Sequence, residues 1–457
     1  MISKNILIYF KNLWNNKLSS FINFFGLSLA LSAAFIIYVY VFYESSYDGH
    51  LGENVYRITV TKSEQEKLTY ESAKSYSGLT NLMKDVPGVN KMTRMLYEEC
   101  LFRLDDKKFP DQRVFWTDSA FVDIFKLNIL KGARENLLVF PNEAMISSST
   151  AVALFGSDWQ HRDDVFGSTV LLNEGIPFKI MAVFEDFPEN SHMEFDYLIS
   201  FSTLIKILGK GVGEIMPPGP NFTYGYLALN ENSDRALVQE QINDLLRKRI
   251  PENKEVQHSL SLQEVSSIHL NSHLSEELKP NSSQELLNVL KIVAVLIILI
   301  AMVNYVNLSI SIGMKRVKEI GMKKVLGATR KQLVLQFSVD SLMSFLVVLV
   351  MSFFLVWLFT NLSYEYLGIH IPPSFYSTPD MWSIMLLFMT IIIILPSMYM
   401  GLTMASIKPY SSGVEQTLPF GKAGLFRKSL IVFQFVASTF LISGTILISR
   451  QVDLMQN

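Results

Sequence analysis

Five long apolar segments constrain the fold of this chain more than any other feature of its sequence. They cover residues 21–43, 288–313, 333–360, 381–405 and 429–449. As a helix, the first would reach about 35 Å, and the hydrocarbon core of a bilayer is about 30 Å thick. We therefore predict five transmembrane helices. Pro396 and Gly401 are expected to kink the fourth, which neighbouring helices can tolerate.

The first apolar segment is interpreted as a permanent anchor. Its apolar run exceeds that of a signal peptide, and the sequence YESSYDGH that follows (43–50) is not a small-residue cleavage site. Residues 1–20 are predicted to form an amphipathic cytoplasmic leader.

Basic residues in the short flanking segments predict the orientation of the chain. Segment 314–332 carries seven of them, the leader carries three lysines, and segment 361–380 carries none. Because basic residues remain on the cytoplasmic side, the N-terminus and the linker 406–428 are predicted inside. Residues 44–287, 361–380 and 450–457 are predicted outside.

The outer region 44–287 is predicted to fold as an α+β domain. Residues 55–60 indicate a strand, and 169–186 indicate a hairpin that turns at Asn173-Glu174-Gly175. Residues 146–156 predict a short helix that ends at Gly156. A longer helix is predicted to begin with Ser233 as its N-cap and to bury Val238, Ile242 and Leu245. The fold class is thus an α-helical membrane bundle with a large α+β domain between helices 1 and 2.

The outer domain also contains a candidate boundary loop and the one cysteine of the chain. Residues 209–221 indicate a loop, predicted to lie between two lobes. The single cysteine, Cys100, excludes an internal disulfide framework and a multi-cysteine metal site. A net charge of −2 offers no basic excess for nucleic acid.

The charged sequence KEIGMKKVLGATRKQ (318–332) lies between the second and third apolar segments. It predicts a short amphipathic helix that Gly327 ends, followed by a capping box of Thr329 and Gln332 that starts the next helix. The apolar stripe of the short helix is predicted to consist of Met314, Val317, Gly321, Val325 and Ala328. Charge alone is explained by topological anchoring, which requires neither Glu319 nor two placed glycines.

This segment resembles the cytoplasmic signature of the FtsX-like/MacB-like permeases of ABC transporters, with Val325 where alanine is common. The resemblance implies docking on an ATPase subunit through Glu319, Ile320, Gly321, Lys324, Gly327 and Ala328. Residues 142–156, 167–200 and 265–278 are similar to the extracytoplasmic MacB-like core domain. FRKSLIVFQFVASTFLISGTILISRQ (426–451) resembles the helix that opens the second half of duplicated members. The chain is expected to be an interrupted member, or to receive its second half from another chain.

The resemblance implies a permease subunit in the bacterial inner membrane, with its large domain in the periplasm. It implies an ABC ATPase partner that binds ATP and Mg²⁺, and a second permease half or a homodimer partner. Such subunits serve efflux, lipoprotein or cell-envelope processes by mechanotransmission. The alternative is a membrane-anchored sensor or accessory protein without transport activity. The chain has no P-loop sequence, so we expect it not to be an ATPase itself.

Several other residues could carry chemistry, but most of them have an ordinary structural explanation. Asp340, inside the third apolar segment, is a candidate functional carboxylate because intramembrane charges are costly. His269 and His273 are four residues apart, but two histidines are a weak metal signal. The serines at 147–149 are interpreted as helix caps and the sequence EDFPENSH (185–192) as a turn. No catalytic and no metal residue is predicted.

Overall fold

The computed structural model describes residues 17–64, 67–132, 135–173, 175–217, 219–249, 256–315, 321–323, 325–367 and 420–456, with single or paired residues at 371, 379, 382–383, 386–387 and 390. The chain divides into two compact units. One is Glu44–Gln284, and the other combines Met1–Tyr43 with Glu285–Asn457. Each is described by itself below as the outer domain and the membrane unit.

The helices are listed here in chain order: α1 (Lys17–Ser45), α2 (Leu79–Leu82), α3 (Ala120–Ile124), α4 (Ser148–Phe155), α5 (Phe201–Leu208), α6 (Arg235–Arg249), α7 (Ile268–Asn271), α8 (Gln284–Lys315), α9 (Arg330–Leu367) and α10 (Phe420–Gln456). In the described residues, α1, α8, α9 and α10 are long and apolar enough to cross a membrane. They correspond to the first, second, third and fifth predicted spans. The fourth predicted span, 381–405, lies almost entirely outside the described residues.

The membrane unit has one buried apolar cluster with α1 at its centre. Leu27, Leu31, Phe35 and Val39 of α1 join Ala301 and Tyr305 of α8 and Val348 of α9 in this cluster. These four buried residues of α1 recur every four positions, so they form one stripe along the helix. This stripe is the surface on which α8 and α9 pack.

The strands are listed as β1 (Val55–Glu64), β2 (Lys67–Ser72), β3 (Val89–Leu104), β4 (Lys107–Thr117), β5 (Ile129–Gly132), β6 (Glu143–Ser147), β7 (Thr169–Leu172), β8 (Ile176–Phe184), β9 (Tyr197–Ser200), β10 (Tyr224–Leu229) and β11 (Val256–Glu264). They form one mixed sheet in the order β11-β1-β10-β3-β4-β9-β6-β8-β5. Strand β2 pairs with β1, and β7 pairs with β3 and β8. The pairs β4–β9 and β6–β8 are parallel, and the others are antiparallel.

Both faces of the sheet are buried, because alternate residues of a strand point to opposite faces. On β10, Tyr224 and Tyr226 belong to one apolar cluster, whereas Leu227 and Leu229 belong to another. The cluster on the Leu227 side includes Val238, Ile242 and Leu246 of α6. Leu245, which the sequence predicts to be buried, is only partly buried, and Leu246 is the buried residue instead. A third cluster joins α4 and α5 to the strands from β3 to β9.

Several predictions of local structure are confirmed. Strands β7 and β8 pair antiparallel with Leu172 opposite Ile176, as the predicted hairpin requires. Helix α4 begins with Ser147, whose side chain accepts a hydrogen bond from the Thr150 N–H, and Gly156 follows its end at φ 92°. Loop 209–221 includes a 3-10 turn at Lys210–Glu214 and leads to β10.

The predicted cap of α6 is wrong by one residue. Asp234, not Ser233, accepts a hydrogen bond from the N–H of Ala236 at 2.8 Å. The Ser233 hydroxyl donates instead to the carbonyl of Gly88 at 3.0 Å. A serine and an aspartate in sequence are both good caps, and here the tertiary contact with Gly88 decides between them.

Helix α6 also covers the free edge of strand β11. The Asn243 side chain donates to the Leu260 carbonyl and accepts from the Leu260 N–H, both at 2.8 Å. Gln239 Oε1 accepts from the Leu262 N–H at 2.9 Å. These amides take the hydrogen bonds that a further strand would make, and so protect an edge that could otherwise pair with another chain.

We predict that Asn243→Ala destabilises the outer domain by about 1–3 kcal/mol, because both backbone groups of Leu260 lose their partner. Residues 44–284 form a compact unit and are expected to unfold cooperatively when expressed alone. Urea unfolding of this fragment measures the effect. Gln241→Ala, an exposed amide on the same helix, is the matched control and should change the unfolding free energy by less than about 0.5 kcal/mol. Equal effects of the two substitutions would contradict the edge-protection role.

Candidate functional site

The first candidate site is the stub, defined here as residues 314–332 between α8 and α9. Glu319, Ile320 and Lys324 lie outside the described residues. Residues 321–323 and 325 are helical, and Gly327 follows them at φ 90°. The Ala328 N–H donates to the Lys323 carbonyl at 2.9 Å, which is the six-to-one bond of a Schellman helix end. The prediction that Gly327 ends the helix is confirmed.

The stub joins α9 through a capping box. The Thr329 N–H donates to Gln332 Oε1 at 2.9 Å, and the Gln332 N–H donates to Thr329 Oγ1 at 3.3 Å. Both bonds of the predicted capping box are therefore present, and α9 begins at the next residue. Lys323 Nζ donates to Gln336 Oε1 at 3.1 Å, so a side chain of the stub also holds the second turn of α9.

The stub presents apolar side chains on its surface. Met322, Val325 and Leu326 are 62%, 71% and 86% exposed. A Cβ at Gly321 would meet no other atom within 4 Å. The predicted stripe included Gly321 and Val325 but not Met322 or Leu326. Exposed apolar residues beside a glycine that leaves the backbone uncovered are typical of a surface that packs on a partner.

Asp340 lies on α9, two residues before the apolar stretch Leu342–Leu362 begins. Its backbone carbonyl accepts a hydrogen bond from the Ser344 hydroxyl at 2.9 Å. Asp340 therefore lies just before this apolar stretch, although within the longer third apolar segment predicted from sequence. Its functional role stays a prediction.

The second candidate site lies in the outer domain where the chain leaves α1. Asp48 accepts hydrogen bonds from the Ser191 hydroxyl at 2.6 Å and from the His192 N–H at 3.2 Å. His192 Nδ1 lies 2.9 Å from Asp48 Oδ2. The other ring nitrogen, Nε2, bonds to the Tyr226 hydroxyl at 2.8 Å. These four side chains are buried.

The charge state of Asp48 follows from these contacts. Burial by itself would raise the pKa of its carboxyl, because it disfavours the charged form. Pairing with His192 and the hydrogen bonds from Ser191 and His192 outweigh burial, and the pKa of Asp48 is lowered. Asp48 is therefore a buried carboxylate that depends on its partners.

A second buried pair lies close by in the chain. His269 Nε2 is 2.7 Å from Glu44 Oε2, and the Tyr47 ring stacks on the His269 ring with centroids 3.5 Å apart. We call Glu44, Asp48, Ser191, His192, Tyr226 and His269 the junction cluster. It joins Glu44, on the last turn of α1, and Asp48, just after that helix, to two segments that lie far away in the sequence.

The weak metal signal of His269 and His273 gains no support from this geometry. Helix α7 ends at Asn271, so His273 does not share a helix with His269. Among the described residues, no group of three or more His, Cys, Asp or Glu side chains is placed to hold a metal ion. The sequence EDFPENSH is irregular, as expected, but it also supplies Ser191 and His192 to the junction cluster.

Sequence reasoning missed the junction cluster because its members are far apart in the chain. Asp48 lies 144 residues from His192, and Glu44 lies 225 residues from His269. The only signal available was that every histidine falls in a segment predicted to be outside. That signal does not pair any histidine with a carboxylate.

We predict that Asp48→Asn destabilises the outer domain by roughly 3 kcal/mol at pH 7, since it replaces a buried carboxylate that accepts hydrogen bonds from Ser191 and His192 and leaves those buried donors poorly satisfied. A lowered folded-state pKa contributes stability that is present above the unfolded pKa of about 3.9 and is lost as the pH falls through the folded value. The difference between wild type and variant should therefore shrink below about pH 4. Urea unfolding of residues 44–284 at several pH values tests this.

Asp106→Asn is the control for that experiment, because Asp106 is exposed in the turn between β3 and β4. It should leave the unfolding free energy within about 0.5 kcal/mol of wild type. A constant difference for Asp48→Asn from pH 7 to pH 3 would show that the charge of Asp48 does not stabilise the fold.

Comparisons with known proteins match both parts of the chain. The MacB-like periplasmic core domain matches residues 20–245, and the FtsX-like permease C-terminal domain matches residues 291–409. Together these matches include most of the outer domain, the stub and most of the spans on either side of it. A search of curated protein sequences gave no match.

Three solved structures are similar to part of the chain. A domain assigned to a permease protein of Porphyromonas gingivalis is 20% identical, with 48% of this chain and 91% of that chain covered and a TM-score of 0.41. The periplasmic region of MacB from Actinobacillus actinomycetemcomitans is 14% identical, with 46% and 90% covered and a TM-score of 0.34. The extracellular domain of the noncanonic ABC-type transporter YknZ from Gram-positive bacteria is 17% identical, with 44% and 98% covered and a TM-score of 0.32.

Proposed function

Because this chain belongs to the FtsX/MacB-like family of ABC transporter permeases, we propose that it couples ATP hydrolysis by a separate ATPase subunit to movement of its outer domain. Such mechanotransmission would serve export, efflux, lipoprotein or cell-envelope processes. ATP and Mg²⁺ would bind the partner, since this chain has no P-loop sequence.

The surface of the stub carries the proposal. Met322, Val325 and Leu326 are exposed, and Gly321 leaves the backbone open beside them. An apolar helix face of this size suits a groove on a partner protein, the helix-in-groove mode of recognition. The Schellman end and the capping box connect this face to α9 through short, hydrogen-bonded turns, so displacement of the stub would be passed to the membrane unit.

The same proposal includes the setting of the protein. The N-terminus and the stub would be cytoplasmic, and the outer domain would lie in the periplasm above the inner membrane. Seven basic residues in the stub support this orientation. A second permease half or a homodimer partner would complete the membrane assembly.

We predict that three substitutions in the stub separate docking from membrane insertion. Gly321→Leu should block docking sterically, and since the site is open in this chain, it should not disturb the chain's own fold. Gly327→Val should strain the turn, because φ 90° is unfavourable for a branched residue. Glu319→Lys should introduce repulsion at the interface. Each should reduce permease-stimulated ATP hydrolysis at least about tenfold, equivalent to about 1.4 kcal/mol of lost binding.

Co-purification with the candidate ATPase and stimulated hydrolysis are the measurements, with membrane insertion checked for every variant. Gly444→Leu, at an open glycine on α10, and Lys315→Gln are the matched controls, and both should behave like wild type. Normal stimulation by all three stub variants would make the stub a topological anchor, and would favour an accessory protein without transport activity.

The orientation gives a separate prediction that uses single cysteines. Cys100 is 5% exposed, and burial together with Glu98 raises the pKa of its thiol to about 11, so Cys100 itself should stay unlabelled in the folded protein. In a Cys100→Ser background, an impermeant maleimide added to spheroplasts should label Lys107→Cys, which is exposed on β4. Met322→Cys should be labelled only after permeabilisation. The reverse pattern would overturn the proposed orientation.

A further inference from the structure

Helices α1 and α9 are joined by hydrogen bonds between buried serines. Ser32 Oγ lies 3.1 Å from the Ser352 carbonyl and shares its one proton between that carbonyl and the Ser28 carbonyl of its own helix at 2.7 Å, and Ser352 Oγ donates to the Ser28 carbonyl at 3.3 Å. Ser28 Oγ donates to the Val348 carbonyl, also at 3.3 Å. The three serines have no exposed surface. We call Ser28, Ser32, Val348 and Ser352 the serine seam.

The serine seam restricts how the two helices can move relative to each other. Small side chains let helix backbones approach closely in a membrane, where hydrogen bonds between helices add to their attraction. The bonds run in both directions between the helices, and they require one register. A shift by one residue, about 1.5 Å along the axis, would break all of them and would place bulky neighbours in the contact.

The position of the seam relates it to both candidate sites. Helix α9 begins at the capping box, so it is the span that follows the stub directly. Helix α1 runs unbroken from the seam to Ser45. The side chain of Glu44, on its last turn, is held by His269 of the junction cluster. A displacement of the stub could therefore reach the start of the outer domain through α9 and α1.

We infer that α1 and α9 move as one rigid body, and that the serine seam is the joint that transfers displacement from the stub to α1. This inference rests on the proposed function and adds the route inside the membrane unit. The competing route runs through α8, which precedes the stub in the chain and leads from the outer domain without needing the seam. The route through α9 and α1 requires these two helices to stay in contact at the serine seam throughout ATP hydrolysis. The route through α8 places no such requirement on the seam.

Crosslinking across the seam tests rigidity. Ser32→Cys and Ser352→Cys are combined with Cys100→Ser, and the two thiols are bridged in membranes by a short bis-methanethiosulfonate reagent, from which each thiol displaces one methanesulfinate. The expected result is efficient crosslinking, with stimulation of the ATPase within about twofold of the unlinked protein, equivalent to about 0.4 kcal/mol. Loss of stimulation on crosslinking would show that the helices move apart, and would overturn the inference. A low crosslinking yield would overturn it as well, and that readout needs no ATPase.

A second variant tests transfer of the displacement. Ser32→Leu places a bulky side chain in a fully buried position and should separate the two helices. Docking should persist, as judged by co-purification with the ATPase, whereas the ATP-dependent change in protease sensitivity of the outer domain should be lost. Ser32→Ala, which keeps the close approach, should retain most of that change. Ser443→Leu, at an exposed serine of α10, is the control for added bulk in a span.

These outcomes separate the inference from the proposed function. If the unmodified protein neither binds nor stimulates an ATPase, the proposed function is wrong, and crosslinking yield alone decides whether the seam is closed. If the unmodified protein stimulates hydrolysis and Ser32→Leu still transmits the ATP-dependent change, the seam is not the joint and the route through α8 is favoured.

Discussion

A bilayer supplies no water to bond exposed peptide groups, so each backbone N–H and C=O inside it must pair within the protein. This constraint makes α1, α8, α9 and α10 continuous helices. It also limits how helices can bind to one another, because lipid is as apolar as a leucine side chain and gives little hydrophobic driving force between spans. Close packing and a few hydrogen bonds from hydroxyl groups must therefore supply more of the attraction between spans. The buried serines of α1 and α9 are the clearest instance in the described residues.

The outer domain is stabilised differently, because it can bury apolar area away from water. Its sheet has apolar clusters on both faces, and burial of this kind is the dominant favourable contribution to folding. Polar groups then become the exception that needs partners. Asn243 and Gln239 provide partners for an edge strand, and His192 and His269 provide them for Asp48 and Glu44. In each case removal of one partner leaves a buried group that water cannot reach.

Under the proposed function, the packing of the spans and the packing of the outer domain both serve to transmit displacement. An ATPase partner would act on the stub, the serine seam would carry the displacement along α9 to α1, and the junction cluster would hold the far end of α1 to the outer domain. Stiffness at each step is an advantage for such a device, because a compliant element would absorb the displacement. Hydrogen-bonded turns, a fixed helix register and buried hydrogen-bonded carboxylates are all stiff elements.

Short-range features of this structure were predictable from sequence. The spans follow from runs of apolar residues, the hairpin from Asn173-Glu174-Gly175, and the two turns of the stub from Gly327 and the Thr329–Gln332 pair, because each depends on residues a few positions apart. Only the tertiary structure decided the strand order of the sheet, the cap of α6, the burial of Cys100, and the pairing of Asp48 with His192 and of Ser32 with Ser352. Those partners lie tens to hundreds of residues apart. Local preference cannot choose between such pairings, since any serine or histidine offers the same bond, and packing of the whole chain selects one.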